Sequence, residues 1–231
     1  MLAIEYNQLV YSADEKARRN PEKIRALIRS YARNTAAPAA IETILADISG
    51  AGAGGVISRP TADGYIRELQ NLYVIDDQPA WSASLRSRTP LRQTPKRHLA
   101  DPSLAAAAIG ATAEKLRDDV GTLGFLFESL CVRDIRVYTS ALDCTVSYYR
   151  DKTGLEADII IERPDGAWGA MEVKLGSARE EEAAKNLLRL SERVDTSKIP
   201  EPSFLAIITN EKYPYKRKDG IFVIPIGCLA P

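Results

Sequence analysis

Residues Tyr148–Leu175 read YYRDKTGLEADIIIERPDGAWGAMEVKL, and this stretch decides the fold. It predicts two β-strands, Leu155–Glu162 and Trp168–Leu175, joined by a tight turn. Ala157, Ile159 and Ile161 alternate with Glu156, Asp158 and Glu162, and Met171, Val173 and Leu175 alternate with Glu172 and Lys174. Such period-2 patterning, rich in Ile and Val, is a strand signal. It puts Ala157, Ile159 and Ile161 on one apolar face and Asp158, Glu172 and Lys174 on the other. Arg163-Pro164-Asp165-Gly166 suits a type I turn followed by a left-handed glycine. A three-residue loop, Pro164 to Gly166, then sets Asp158 opposite Glu172 and Glu156 opposite Lys174. A two-residue loop would put Asp158 and Glu172 on opposite faces. Two facing carboxylates repel unless they are protonated or bridged by a cation. A hard divalent ion held by one or two carboxylates, with water completing its shell, suits such a pair.

Downstream, Gly176-Ser177 leads into a helix over 178–194 with Ala183, Ala184, Leu187 and Leu188 inward. Apolar strands follow at 204–209 and 221–226. Upstream, a strand is expected at 145–150, preceded by a long helix over 112–136. Its apolar stripe is Leu116, Val120, Leu123, Phe127, Leu130 and Cys131, and its neighbouring face carries Gly121, Gly124 and Glu128. Interior helix glycines cost about 1 kcal/mol each against alanine. They are easiest to understand where a backbone or ligand comes close. The order from 112 onward is helix, three strands, helix, two strands, which predicts an α/β (α+β) sandwich with a mixed sheet.

The N-terminal part reads differently. A polar lead-in ends at Asn20-Pro21; helices are expected from Pro21, with Ile24, Leu27, Ile28 and Tyr31 as the apolar stripe, and over 38–48 and 60–72. A Gly/Ala-rich loop covers 49–58. Two extended pieces follow, 73–81 and 95–100. Three helices and a two-stranded ribbon is the order of a winged helix, with the third helix as the reader of DNA and the inter-strand loop as the wing. Arg59 and Arg67 on that helix, and Arg86, Arg88, Arg92, Lys96 and Arg97 on the wing, are the candidate phosphate contacts. Asp101-Pro102 opens a short helix ending at Gly110. The expected division is a winged-helix-like domain over 1–110 and a sandwich domain over 111–231.

Composition bounds the rest. Lys+Arg and Asp+Glu both number 31, so net charge does not call for nucleic acid and any basic patch is local. Cys131, Cys144 and Cys228 are scattered and none lies near the single His98, which predicts free thiols in a reducing cytoplasm and no zinc site. No uncharged run reaches the length of a membrane span, and Glu5 interrupts the N-terminal apolar run, unlike a signal peptide. Tyr213–Lys218, YPYKRK, is a second basic-aromatic spot, expected to be a solvated loop.

Glu128 on a helix, Asp158 on a strand and Glu172-Val173-Lys174 on the next resemble the PD-(D/E)xK restriction-endonuclease-like superfamily, whose αβββαβ core order also matches. More closely, the chain resembles the C-terminal region, of unknown function, of bacterial and archaeal AAA-type ATPases. That likeness rests on Arg29-Ser30-Tyr31-Ala32-Arg33-Asn34, Thr61, Tyr65 and Leu69, Pro95-Lys96, Asp101-Pro102, Gly124-x-x-Phe127-Glu128, Tyr149-Arg150-Asp151, Glu156-x-Asp158 and Glu172-Val173-Lys174. The chain has no GxxxxGK[ST] phosphate loop, so ATP hydrolysis is not expected of it. The resemblance implies Mg²⁺ (or Mn²⁺) on Asp158, Glu172 and the Val173 carbonyl. It implies Glu128 as a further ligand or orienter and Lys174 as the residue that positions the nucleophile. The implied activity is a metal-dependent phosphodiesterase, a nuclease acting on DNA. The competing expectation is a non-catalytic module that docks DNA, a protein partner or an ATPase domain.

Overall fold

The computed structural model describes residues 20–50, 56–81 and 94–230. The expected polar lead-in, the middle of the Gly/Ala-rich loop and the tip of the wing, with Arg86, Arg88 and Arg92, lie outside the described residues.

Helices α1 (Pro21–Arg33), α2 (Ile41–Gly50) and α3 (Arg59–Asn71) come first. Asn20 caps α1 by accepting from the Glu22 and Lys23 N–H groups, with Pro21 at the first helical position. Leu27 and Tyr31 of α1, Ile44 and Ile48 of α2 and Leu69 of α3 are buried against one another. An extended ribbon follows. Ile75 bridges Leu99 and Gln78 bridges Lys96, both antiparallel. The order of three helices and a ribbon is as expected. Helix α4 (Pro102–Ile109) has Asp101 as cap and ends at Gly110 in the left-handed region, φ +67°.

The expected long helix is two. Ala113–Asp118 (α5) stops at Asp119, whose side chain caps α6 (Val120–Ser140) by accepting from Thr122 N–H. The break changes the helical phase, so the expected stripe fails at its start. Val120 is 59 % exposed, and the buried side of α6 is Leu126, Phe127, Cys131, Val132 and Ile135.

Strands β1 (Thr145–Arg150), β2 (Glu156–Glu162) and β3 (Trp168–Val173) lead through helix α7 (Glu180–Arg193) to β4 (Phe204–Thr209), the short β5 (Tyr215–Lys216) and β6 (Phe222–Pro225). Among the described residues they form one open six-stranded sheet in the order β1-β2-β3-β4-β6-β5. The pairs β3/β4 and β4/β6 are parallel and the others antiparallel, so the fold is mixed α/β. Helices α6 and α7 pack on opposite faces of the sheet. No helix among the described residues is long and apolar enough to cross a membrane.

The hairpin turn closes as the sequence requires. Gly166 N–H donates to Arg163 O at 2.9 Å, Arg163 N–H donates to Ala167 O at 2.8 Å, and Gly166 sits at φ +84°. The register follows: Glu162 pairs with Trp168 and Ile159 with Met171. The expected alternation along β2 does not survive. Ser147 of β1 pairs with Ile160 but Tyr149 pairs with Ala157, so Asp158 and Ile159 together stand opposite Tyr148. This β-bulge sends Ile159 and Ile161 to the α6 side while Ala157 and Ile160 pack on the α7 side. A strict period of two would have kept Ala157, Ile159 and Ile161 together.

The ribbon docks at the bulge. Tyr148 N–H donates to Pro79 O at 3.0 Å and Trp81 N–H donates to Tyr148 O, so residues 79–81 cover the exposed edge of β1. Trp81 stacks on Trp168 at 4.7 Å between ring centroids and donates to Glu162. One piece of the N-terminal half thus completes a core of the C-terminal half.

Candidate functional site

A bulge leaves ladder groups unpaired, and here Gln78 takes them up. Its buried side-chain amide donates to Ser147 O at 3.0 Å and to Asp158 O at 2.9 Å. Gln78 also exchanges both backbone hydrogen bonds with Lys96. That pairing aims Lys96, 2 % exposed, into the sheet at the point where Asp158 leaves the ladder.

Lys96 Nζ lies 2.7 Å from Glu128 Oε1 on α6, 2.8 Å from Glu156 Oε1 and 3.0 Å from Asp158 Oδ1 on β2. Asp158 Oδ2 accepts from Val173 N–H at 2.9 Å. Lys174 Nζ is 2.6 Å from Glu172 Oε2 and 3.6 Å from Asp158 Oδ2. Arg150 reaches Glu156 from the rim at 3.7 Å. Glu128, Asp158, Glu172 and Lys174 are therefore gathered at one centre, three of them from the opening hairpin and one from α6. Val173 contributes its N–H to Asp158. Glu156, expected opposite Lys174, pairs instead with Lys96 and Arg150; the β2/β3 pairing itself runs from Ile159 to Glu162.

The charges are uneven. Burial and the Asp158 charge push the Glu128 carboxyl up to about 8, with Lys96 pulling the other way. Burial and Asp158 likewise push Glu172 up to about 8, against the pull of Lys174. Asp158 is buried too, but Lys96, Lys174 and the Val173 N–H outweigh that and hold it down at about 2. Burial would lower Lys96, yet Asp158, Glu128 and Glu156 keep it well above the ordinary lysine range. The centre thus sets a buried ammonium against Asp158, whose charged form is favoured, beside two carboxyls pushed toward their protonated forms.

A magnesium ion needs oxygens directed at one point about 2.0–2.1 Å away. Among the described residues no group of three or more carboxylate, histidine or cysteine ligands is so arranged. The point shared by Glu128, Glu156 and Asp158 is taken by Lys96 Nζ. As placed, the donor set fits an ammonium and does not fit Mg²⁺. Among the described residues nothing packs closely on the glycines beside Glu128: a Cβ at Gly124 would meet nothing within 4 Å, and one at Gly121 only the cap Asp119, at 3.4 Å.

Among the described residues, the expected phosphate contacts Arg59, Arg67, Lys96 and Arg97 are differently placed. Lys96 is spent on the carboxylates. Arg97, also buried, donates to Asp77 at 2.6 Å, to Tyr31 Oη and to Ala39 O. Arg59 pairs with Glu42 and Asp63, and Arg67 is exposed. In the second basic-aromatic spot, Arg217 pairs with Glu180, Glu181 and Asp219 and Tyr215 donates to Glu180, so this segment is docked on the start of α7. Lys96, Gln78 and Glu156 are the members of the centre that the hairpin reading missed. Their signal is faint: Lys96-Arg97-His98 sets three basic side chains on a ribbon with little room on either face.

Fold and centre together define a two-part α/β protein, a helical N-terminal part joined to an open mixed sheet through a buried ionic cluster. Residues 8–115 match the model of a domain of unknown function (DUF8612). Residues 123–229 match that of a second domain of unknown function (DUF4143). No curated protein and no solved structure matches the chain.

Proposed function

We propose that the chain is a non-catalytic docking module with an endonuclease-like core, the C-terminal part of an AAA-type ATPase, serving a protein partner such as the ATPase domain. The observation that carries this reading is Lys96 Nζ buried among Glu128, Glu156 and Asp158. With Lys96 among them, the oxygens of these three carboxylates that a metal would need are committed to an ammonium. The same contacts join the two halves of the chain, so the cluster has a structural use. The link to ATPases rests on the sequence resemblance, and the second matched domain is commonly the C-terminal part of such proteins. The test is a sensitive nuclease assay on DNA with Mg²⁺ and with Mn²⁺, comparing the native chain with Asp158→Ala. Equal, background-level cleavage in both is expected, and cleavage lost only in Asp158→Ala would end the reading.

The second reading, a Mg²⁺- or Mn²⁺-dependent phosphodiesterase acting on DNA, is favoured by the convergence of Glu128, Asp158, Glu172 and Lys174 in one centre. It requires Lys96 to leave the carboxylates, and the same assay decides it.

A further inference from the structure

The centre draws its acids and its principal cation from different halves of the chain. Glu128, Glu156, Asp158 and Glu172 belong to α6 and the hairpin, whereas Lys96 arrives on the ribbon. Three oxygens from three residues lie within 3.0 Å of one nitrogen, two of them accepting its hydrogen bonds and the third, on Glu156, completing an ion pair. The stem is held as well as the head: Lys96 exchanges backbone bonds with Gln78, and Gln78 is pinned to Ser147 O and Asp158 O. Nζ also lies 5.6 Å from the Tyr148 ring centroid, and Tyr148 Oη donates to Thr94 O next to the ribbon strand. Nothing here resembles a surface lysine that has fallen onto a carboxylate. The side chain is fixed at both ends.

Resting on the non-catalytic reading, we infer that Lys96 is the resident cation of this centre: its ammonium takes the place a divalent metal would need, and the site excludes metal as long as the ribbon is seated. The mismatch between the carboxylate set and Mg²⁺ is then part of the design of the joint. Entry of a divalent ion would have to expel Lys96 from a buried position, break two charge-assisted hydrogen bonds and an ion pair, and pull on the Gln78 pairing that closes the bulge. Removing only the Lys96 charge should uncover a divalent-cation site on Glu128, Glu156 and Asp158.

The full chain, native and Lys96→Met, is titrated with Mn²⁺ by calorimetry and by electron paramagnetic resonance of the free ion. Native protein is expected to show no saturable binding at millimolar Mn²⁺. Folded Lys96→Met should bind at least about tenfold more tightly, a low figure for removing a unit charge a few Å from a divalent ion. Should Lys96→Met fail to fold, amine acylation of the native chain, read by peptide mass spectrometry, decides alone. Lys96 is expected to stay unlabelled with and without Mn²⁺, while exposed Lys212 reacts in both. Saturable Mn²⁺ binding by native protein, Mn²⁺-induced labelling of Lys96, or a folded Lys96→Met that gains no affinity would each overturn the inference. Mn²⁺ binding without Asp158-dependent cleavage would overturn it and leave the non-catalytic reading standing. Asp158-dependent cleavage would remove that reading itself.

Discussion

Lys96 and Arg97 are neighbours on one ribbon, and they enter two buried ion clusters of opposite character. Arg97 faces the helices. It meets Asp77, which also accepts from Tyr31 Oη and His98 N–H, so one cation answers one carboxylate. Lys96 faces the sheet and meets three carboxylates, with Glu172 and Lys174 beyond. The first cluster is balanced. The second has four carboxylates against Lys96, Lys174 and the rim Arg150, and two of its acids are pushed up to about 8. Burial alone does not separate them, since both are nearly inaccessible. What separates them is surplus acid, and surplus acid is what a metal, a proton or a third lysine can answer.

The comparison breaks most directly by deleting each cation. Arg97→Met and Lys96→Met should both destabilise by about 3–5 kcal/mol at pH 8, as expected when one partner of a buried pair is removed. At pH 5 the Lys96→Met loss should shrink, because Glu128 and Glu172 can keep protons, while the Arg97→Met loss should change less. Urea unfolding at the two pH values measures this, and equal pH sensitivity would contradict the distinction.

Next in size is the proton linkage of Glu128. Its folded value, about 8, lies above the ordinary 4.5. A carboxyl shifted upward gives stability that is fully present below 4.5 and is lost as pH rises through about 8. Relative to Glu128→Gln, the native chain should therefore lose stability across that window, by at most about 1.4 kcal/mol per pH unit. His98 works in the opposite sense: burial, then Arg136 and Lys96, lower it to about 3, so its contribution is lost as pH falls from its ordinary 6.5. The comparison with Glu128→Gln cancels that contribution. A flat difference would place the surplus acid elsewhere.

Gln78→Ala should cost about 1–3 kcal/mol, because it strands the Ser147 and Asp158 carbonyls in a buried bulge. Because Gln78 orients Lys96, the same variant should also raise Lys96 acylation. Arg59→Ala sets the lower end. Its pairs with Glu42 and Asp63 are half exposed, so the loss should stay within about 1 kcal/mol. A larger loss there would mean that surface pairs count as much as the buried clusters.

How much of this was legible in the sequence follows from the range of the interactions. The hairpin was legible because its turn is local: Pro164, Asp165 and Gly166 set the loop, and the loop set the register up to Ile159. Helix starts at Asn20 and Asp101 were legible for the same reason, each side chain capping N–H groups two or three residues on. The break at Asp119 was a cap of the same kind, hidden inside an apolar pattern that ran across it. The bulge at Asp158 was not legible, since it depends on β1 and on a glutamine 80 residues away. The gathering of Glu128, Asp158, Glu172 and Lys174 could be anticipated from motif and topology. Lys96 could not be placed there, because a lysine on a predicted wing looks the same in sequence whether it faces phosphate or carboxylate.

The central claim is that the cation of this centre is Lys96. Diffraction from crystals of the native chain soaked in Mn²⁺, with data collected to show anomalous scattering, tests it in one experiment. The account predicts no manganese peak among Glu128, Glu156 and Asp158, and side-chain density for Lys96 running into that point. A manganese peak within ligand distance of Asp158 and Glu172, with Lys96 displaced, would contradict it.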